Sequence, residues 1–536
     1  MGWKLRAGVV TLALLAGAAA MPLGRTVVAQ DEKQRLACPK CLKASPGAFC
    51  PDDGTKCVPA ELVALHLALT KHANGLDLGK GFSDPLAECI GKDGTIDVAK
   101  LEKLVADYAA AARKTPFGSA QQPAPGPRAP SDPPAAAAPA GGREGYAGRT
   151  TGKRNLIARG GGSVATASAV EAALKWLARH QSPDGSWSPT GYAAQCGAVA
   201  CDGTGVDDFS VGLTGLSLLA FLGDGYRPAD DDESYVDAVT GKTVRFGETV
   251  KKGLKYLMDH QGTDGALGPQ VGEMMYNHAI ATQALCDAYG MTGSPAYKAA
   301  AQSAVGFIVA AQNYGLAWRY TPKCGNNDSS VTGWCVMALK SAEAAGLAVP
   351  ATAYAGAKAW FGRVTDSNGQ VGYDRLGSGE IYVPGKNEQW AHHQTMTGVA
   401  LLASLEIDRK KDPILLKGAR ILVQDLPAWD PTAARPTNDF YYWYYATYAL
   451  FQVDGPAGPI WKKWNKAVAD TLCQNQRVRK DGCKDGSWDT EGVDRWAYAG
   501  GRVYGTAMNT LTLEVYYRYP VAAVARPRVP EDDDGR

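Results

Sequence analysis

From residue 160 onward, apolar positions recur at helical spacing in a pattern that repeats along the chain. Ala169, Ala172, Ala173, Trp176 and Leu177 follow one another at offsets of 3, 4, 7 and 8, which predicts one buried face of a helix over 165–180. That helix runs into His180-Gln-Ser-Pro-Asp-Gly-Ser-Trp187. The same unit returns at 251–267, with His260-Gln261 and Asp264-Gly265, then at 301–318 with Gln312 and Trp318, and at 355–373. A fifth copy keeps only a helix over 413–426. The sixth, at 461–489, again carries Gln476 and Asp485-Gly-Ser-Trp488.

Between these units, and after the last, lie helical stretches rich in small residues, at 208–221, 278–289, 330–342, 395–406, 442–452 and 504–517. Six outer and six inner helices, each hairpin with a face it cannot bury alone, predict an all-α (α/α)6 toroid of six helix hairpins over 160–519. Gly212, Gly215, Gly333, Gly398 and Ala446 lack the bulk that would keep the inner helices apart.

The Gln-Gly-Trp endings resemble the prenyltransferase and squalene-oxidase (QW-type) repeats of the terpene cyclase and protein prenyltransferase toroid superfamily, particularly its exported bacterial members. Ser329-Ser-Val-Thr-Gly-Trp334, Tyr441-Tyr-Trp-Tyr-Tyr445 and Leu511-Thr-Leu-Glu-Val-Tyr-Tyr517 add to that resemblance. It implies that Gln181 with Trp187, and Gln476 with Trp488, are structural tethers between helix ends.

Ahead of the repeats the chain changes character. Lys4 and Arg6 precede the apolar run 9–21, and Val27-Val28-Ala29 supplies small residues for cleavage, so residues 1–29 read as an export signal. The expected location is periplasmic or extracellular, with membrane retention if the signal stays uncleaved. Residues 30–60 hold Cys38, Cys41, Cys50 and Cys57, a set that suits either a zinc-ribbon-like site or two disulfides. Short helices are expected within 61–113. Residues 114–159 form a linker, with eight prolines between Pro116 and Pro139, and 520–536 a disordered tail.

A formal charge of +2 gives no reason to expect nucleic acid as a partner. Of the seven cysteines in the repeat region, Cys196 with Cys201 and Cys473 with Cys483 bracket loops and are expected to pair in an oxidising compartment.

In a closed ring, the residues that begin the inner helices surround one mouth, and chemistry is expected there. The candidates for acid–base work are Asp207, Asp208, His278, His392, His393 and Asp439. Glu273, Tyr276, Trp390, Tyr441, Trp443, Tyr444, Arg502 and Tyr504 are candidates to line the cavity. A class II cyclase needs Asp-x-Asp-Asp, and Gly205-Val-Asp-Asp208 lacks its first Asp; no Asp-x-Cys partner for a prenyltransferase zinc accompanies His278. Three readings stand: a cavity for an apolar isoprenoid or lipid, a polysaccharide lyase or hydrolase using His, Tyr and carboxylate chemistry, and a scaffold for another exported protein.

Overall fold

The computed structural model describes residues 146–519 apart from 151, 198–199, 229–233, 378–393, 409–411, 431 and 433–435. Before residue 130 it describes Lys103 and three short strands, β1 (Leu36–Ala37), β2 (Ala44–Ser45) and β3 (Val58–Pro59), in the antiparallel order β2-β1-β3. Cys38, Cys41, Cys50 and Cys57 lie outside the described residues, as do the export signal and the tail from 520.

Residues 131–536 form a second compact unit, and its core is the ring. The outer helices are α1 (Val164–Arg179), α3 (Phe246–Asp259), α5 (Pro295–Ala311), α7 (Ala351–Val364), α9 (Pro413–Leu422) and α11 (Pro459–Asn475). The inner helices are α2 (Ser210–Gly223), α4 (Met274–Thr292), α6 (Ser329–Ala344), α8 (Thr395–Asp408), α10 (Phe440–Asp454) and α12 (Ala497–Leu513). Each inner helix packs on the next, and α12 packs on α2, so the inner ring closes. This is the expected all-α toroid of six hairpins. Each observed boundary lies a few residues from its sequence estimate; α12 starts earlier because a separate turn over 497–500 precedes it, kinked from the main helix at Gly501, whose φ of 61° suits glycine.

The inner helices are buried almost all round, which is why they carry weak helical periodicity and many small residues. A Cβ on Gly215 would lie 2.9 Å from the Ala281 backbone, so α2 and α4 approach backbone to backbone. The longest stretch outside the repeats, residues 224–247, contains a two-stranded hairpin that the helical pattern does not predict, β4 (Ser234–Val236) with β5 (Thr243–Arg245). The ring unit also begins before residue 160. Helical segments Ala147–Thr150 and Lys153–Gly160 pack against Val515–Arg518, because Arg149 finds a buried partner in Asp287 at 2.9 Å.

The two ends of the ring differ. At the C-terminal ends of the inner helices, Arg149 donates to the Leu222 carbonyl and Arg518 to the Leu219 carbonyl, where the helix dipole favours cations. Asp287 and Glu514 balance them, and all four side chains are buried.

The glutamines are the ties between hairpins. Gln181 Nε2 donates to the Gly185 carbonyl of its own turn and to the Thr249 carbonyl of the next outer helix. Gln261 repeats this with Gly265 and Ala300, and Gln312 with Leu316 and Ala353. Gln476 closes the circle, reaching Gly486 in its own turn and Ala169 back in α1. Trp187, Trp318 and Trp488 each donate from the indole to a carbonyl near the end of their own outer helix. The tether role implied by the repeat resemblance is thus present at each clear copy. Glycine is required in these turns: at Gly486, φ is 92° and a Cβ would sit 2.0 Å from the Ala172 carbonyl oxygen.

Gln476→Ala leaves two carbonyls without their donor at the closing joint. We expect a loss of about 1–3 kcal/mol, read in urea unfolding as a lower midpoint with an unchanged m-value; an unaltered midpoint would show that the tie contributes nothing.

Candidate functional site

The mouth formed by the starts of the inner helices carries a continuous polar and aromatic patch. Glu273 immediately precedes α4, and Tyr276 lies on its first turn. Arg319 and Tyr320 follow Trp318 in the loop between α5 and α6; Asp328 caps α6, its Oδ1 accepting from Val331 N–H at 2.7 Å. Tyr276 OH donates to Ser330 Oγ at 2.7 Å, and Ser330 is also 2.7 Å from Tyr441 OH of α10. The guanidinium of Arg319 lies 5.1 Å above the Tyr320 ring and 5.4 Å from that of Tyr373, and the two phenols hydrogen-bond.

Charge at this mouth is set by burial. Burial raises the Glu273 carboxyl above its ordinary range, opposed by Arg319 and reinforced by Asp208. Asp328 is fully buried and pushed up to about 7, with Arg319 pulling the other way. Its Oδ2 accepts no hydrogen bond among the described residues and faces Arg319 Nε at 3.9 Å. On the neighbouring wall, burial and the adjacent Asp439 push Asp494 up to about 8, against the N–H groups of Phe440 and Trp496. Trp496 and Tyr498, half-buried at the start of α12, extend the patch, and Tyr498 feels the charge of Glu273.

The residues expected to line this region divide sharply. Asp207 and Asp208 are exposed before α2; Asp207 accepts from Thr190, and the Asp208 carbonyl accepts from Asn277 at 2.7 Å. Asp439 is the N-cap of α10 and accepts from Tyr442 N–H, from Thr395 Oγ1 at 2.8 Å and from Arg495 at 2.9 Å. Trp443 packs on Phe440 and Trp429, while Tyr444 stacks on Trp334 at 5.9 Å in the packed centre of the ring. The hydroxyls of Tyr444 and Tyr504 are buried there without a hydrogen-bond partner among the described residues. Trp390, His392 and His393 lie outside the described residues.

His278 and Arg502 stand away from the open mouth. His278 is fully buried; its Nδ1 accepts from Leu267 N–H at 3.0 Å, and its Nε2 lies 3.1 Å from the Ala304 carbonyl. Thr214, Thr332 and Thr397 hold the corresponding turn N–H groups of Trp187, Trp318 and Val371, so His278 takes a threonine's place. Arg502 is buried between loops, donating to the Asp202 carbonyl, to Ser487 Oγ, to the Trp488 carbonyl and to Asp489.

The expected disulfides are corrected by the structure: none of the seven described cysteines is in a disulfide. Cys473 sits half-buried on α11, whereas Cys483 has turned across to meet Cys196, Cys201 and His180. The four ligand atoms lie within 4.8 Å of one another and could hold a metal ion. The loop spacing of the cysteines carried a correct signal of proximity for Cys196 and Cys201. What it lacked was the ring closure, which brings residue 483 beside residue 180.

No protein-family model matches the sequence, and no curated protein matches it. Among solved structures, an inactive variant of the α-1,6-mannanase GH76A of Salegentibacter sp. HEL1_6, in complex with α-1,6-mannotriose, is 13% identical. That match covers 66% of this chain and 99% of the mannanase, with a TM-score of 0.41. A novel α-amylase from Clostridium perfringens is 11% identical over 65% of this chain and 98% of its own, with a TM-score of 0.39. The type II terpene cyclase MstE from Scytonema is 13% identical over 66% and 97%, also with a TM-score of 0.39.

His278 generates a pH prediction. Burial holds its folded pKa down at about 4, against an ordinary value of 6.5. Between these values the unfolded chain takes up a proton that the native state refuses. Its contribution to stability is therefore complete above pH 6.5 and is lost as pH falls towards 4, by roughly 3 kcal/mol in all. Unfolding free energies of the wild type and His278→Thr, compared at pH 7 and pH 4.5, should diverge less at the lower pH; a constant difference would contradict the buried neutral imidazole.

Proposed function

We propose that the protein acts on carbohydrate at the mouth of the ring, with Glu273 as proton donor and Asp208 as the second carboxylate. The observation that carries this reading is the contrast between the two acids. Glu273 is half-buried and raised, and Asp208 is exposed and close enough to raise it further. A pair of carboxyl groups in unlike environments divides into acid and base. Around them, Tyr276, Tyr320, Trp496 and Tyr498 are half-buried rings on which sugar faces can stack. Arg319, with its side chain 25% exposed, offers a charged fork for hydroxyl or carboxylate groups. Export through residues 1–29 would bring such a site to extracellular glycans.

The alternative is an apolar isoprenoid or lipid ligand in the centre of the ring. Its support is the column of Trp334, Tyr441, Tyr444, Tyr445 and Tyr448, whose rings lie 4.9–6.3 Å from one another along the inner helices. These rings fill the space they surround, with Trp334 and Tyr444 at most 1% exposed, so the mouth is the better placed of the two for a ligand.

A panel of polysaccharides, assayed for released reducing or unsaturated ends, tests the reading. Glu273→Gln should lower turnover by about 10²–10⁴-fold while leaving binding largely intact, and Tyr498→Ala should weaken binding first. Turnover should also fall as pH rises through the raised Glu273 pKa, since the acid must be protonated. Full activity in Glu273→Gln would sink the assignment. So would a stoichiometric lipid in solvent extracts of the purified protein, combined with no glycan bound.

A further inference from the structure

We propose that His180, Cys196, Cys201 and Cys483 bind a structural zinc ion that locks the ring shut between its first and last hairpins. His180 is the C-cap of α1; its Nδ1 lies 2.8 Å from the Trp176 carbonyl, so Nδ1 carries the proton and Nε2 presents a lone pair. That lone pair points at three sulfurs, 3.3 Å from Cys196, 3.5 Å from Cys201 and 3.3 Å from Cys483. A tetrahedral zinc with ordinary Zn–N and Zn–S bond lengths places such atoms about 3.6 Å apart. The group is therefore only slightly tighter than a loaded site.

Four protein ligands fill a tetrahedral shell, and three thiolates with one imidazole suit zinc among the common divalent ions. His180 is wholly buried, with Cys201 and Cys483 5% and 8% exposed. The site is thus closed, with no position left for substrate. The backbone N–H of Cys201 donates to Cys196 Sγ at 3.2 Å, as expected where a sulfur carries negative charge.

The surroundings hold the two loops in register independently of the metal. Arg502 bridges Asp202, next to Cys201, to Ser487 and Asp489 beyond Cys483, and Lys484 pairs with Asp202 at 2.6 Å. Arg179, one residue before His180, donates to the Cys483 carbonyl at 3.1 Å. By contrast His260, the corresponding residue of the second hairpin, makes the same bond to its helix, at 2.8 Å from the Tyr256 carbonyl, but is exposed and belongs to no such cluster. Among the described residues the ligand set exists at one joint of the ring, that between the first and the last hairpin.

The test is elemental analysis of the full-length protein, purified without chelator, beside Cys483→Ser and Cys41→Ser. Comparison between variants separates this site from the Cys38–Cys57 module. Cys483→Ser should hold about one zinc per chain fewer than the wild type, whereas Cys41→Ser should keep that zinc. Strong chelation should lower the wild-type melting temperature by several degrees and shift that of Cys483→Ser much less. If Cys483→Ser unfolds, cobalt replaces it as the readout: wild-type protein refolded with cobalt should show thiolate-to-cobalt absorption that Cys196→Ser weakens. Equal zinc in wild type and Cys483→Ser, a stoichiometric metal other than zinc, or a Cys196–Cys201 disulfide found by peptide mapping would each overturn the proposal.

Discussion

The fold depends on one repeated hydrogen-bonding move, a glutamine amide that spans from the turn of one hairpin to a carbonyl of the next outer helix. A ring of helices has no sheet ladder to set its register, and apolar packing alone tolerates sliding. The amide contacts in the four clear copies supply direction, because each needs a carbonyl at a fixed height on its neighbour. In three of these turns a glycine (Gly185, Gly265 or Gly486) lets the neighbouring helix come close; in the third copy the close approach is made by Gly356 of α7, where a Cβ would lie 2.2 Å from the Leu316 carbonyl oxygen. The fourth and fifth hairpins manage without the glutamine. In the fourth, the Thr365–Val371 bridge and Gly369 hold a turn of the same shape, with Gly369 lying against the start of α9.

Most of this architecture was legible in the sequence because repetition multiplies a weak signal. One Gln-x-x-x-Gly turn means little, and six helix pairs at similar spacing mean a ring. The inner helices were less sharply bounded, since burial on all sides erases the periodicity that marks a helix surface. Local chemistry was legible only where a role follows from chain neighbours. The glutamine ties could be read that way; Asp439, expected to do acid–base work, could not, and it caps α10. His278 and Arg502 looked like cavity groups because a polar residue near an inner-helix start is ambiguous until its partners are seen. Arg319 and Tyr320 went unnoticed because they sit just past the repeat's tryptophan and carry no motif of their own, and Tyr373 was absorbed into the end of the fourth repeat.

The histidine–cysteine cluster marks the limit of reading along the chain. His180 was absorbed into the repeat, and Cys201 and Cys483 are separated by nearly the whole ring. Only closure makes them neighbours. A disulfide was the natural expectation for Cys473 and Cys483 because they bracket one connection, whereas closure gives Cys483 other neighbours. The helix end directs Cys483 inward and leaves Cys473 on the flank of α11.

The joint between the first and sixth hairpins also governs how the chain can reach this state. Its contacts link residues about three hundred positions apart: Gln476 to Ala169, Arg179 to the Cys483 carbonyl and Trp461 to Gly160. During synthesis the first hairpin emerges long before its final partner exists, and α1 keeps an apolar flank uncovered until residues near 490 have left the ribosome. Closure must wait until the last hairpin exists, and it carries the entropy cost of joining the most distant segments of the ring. A chain stopped short of it is an open arc with two unsatisfied ends, able to join another arc end to end where the whole protein would join only itself.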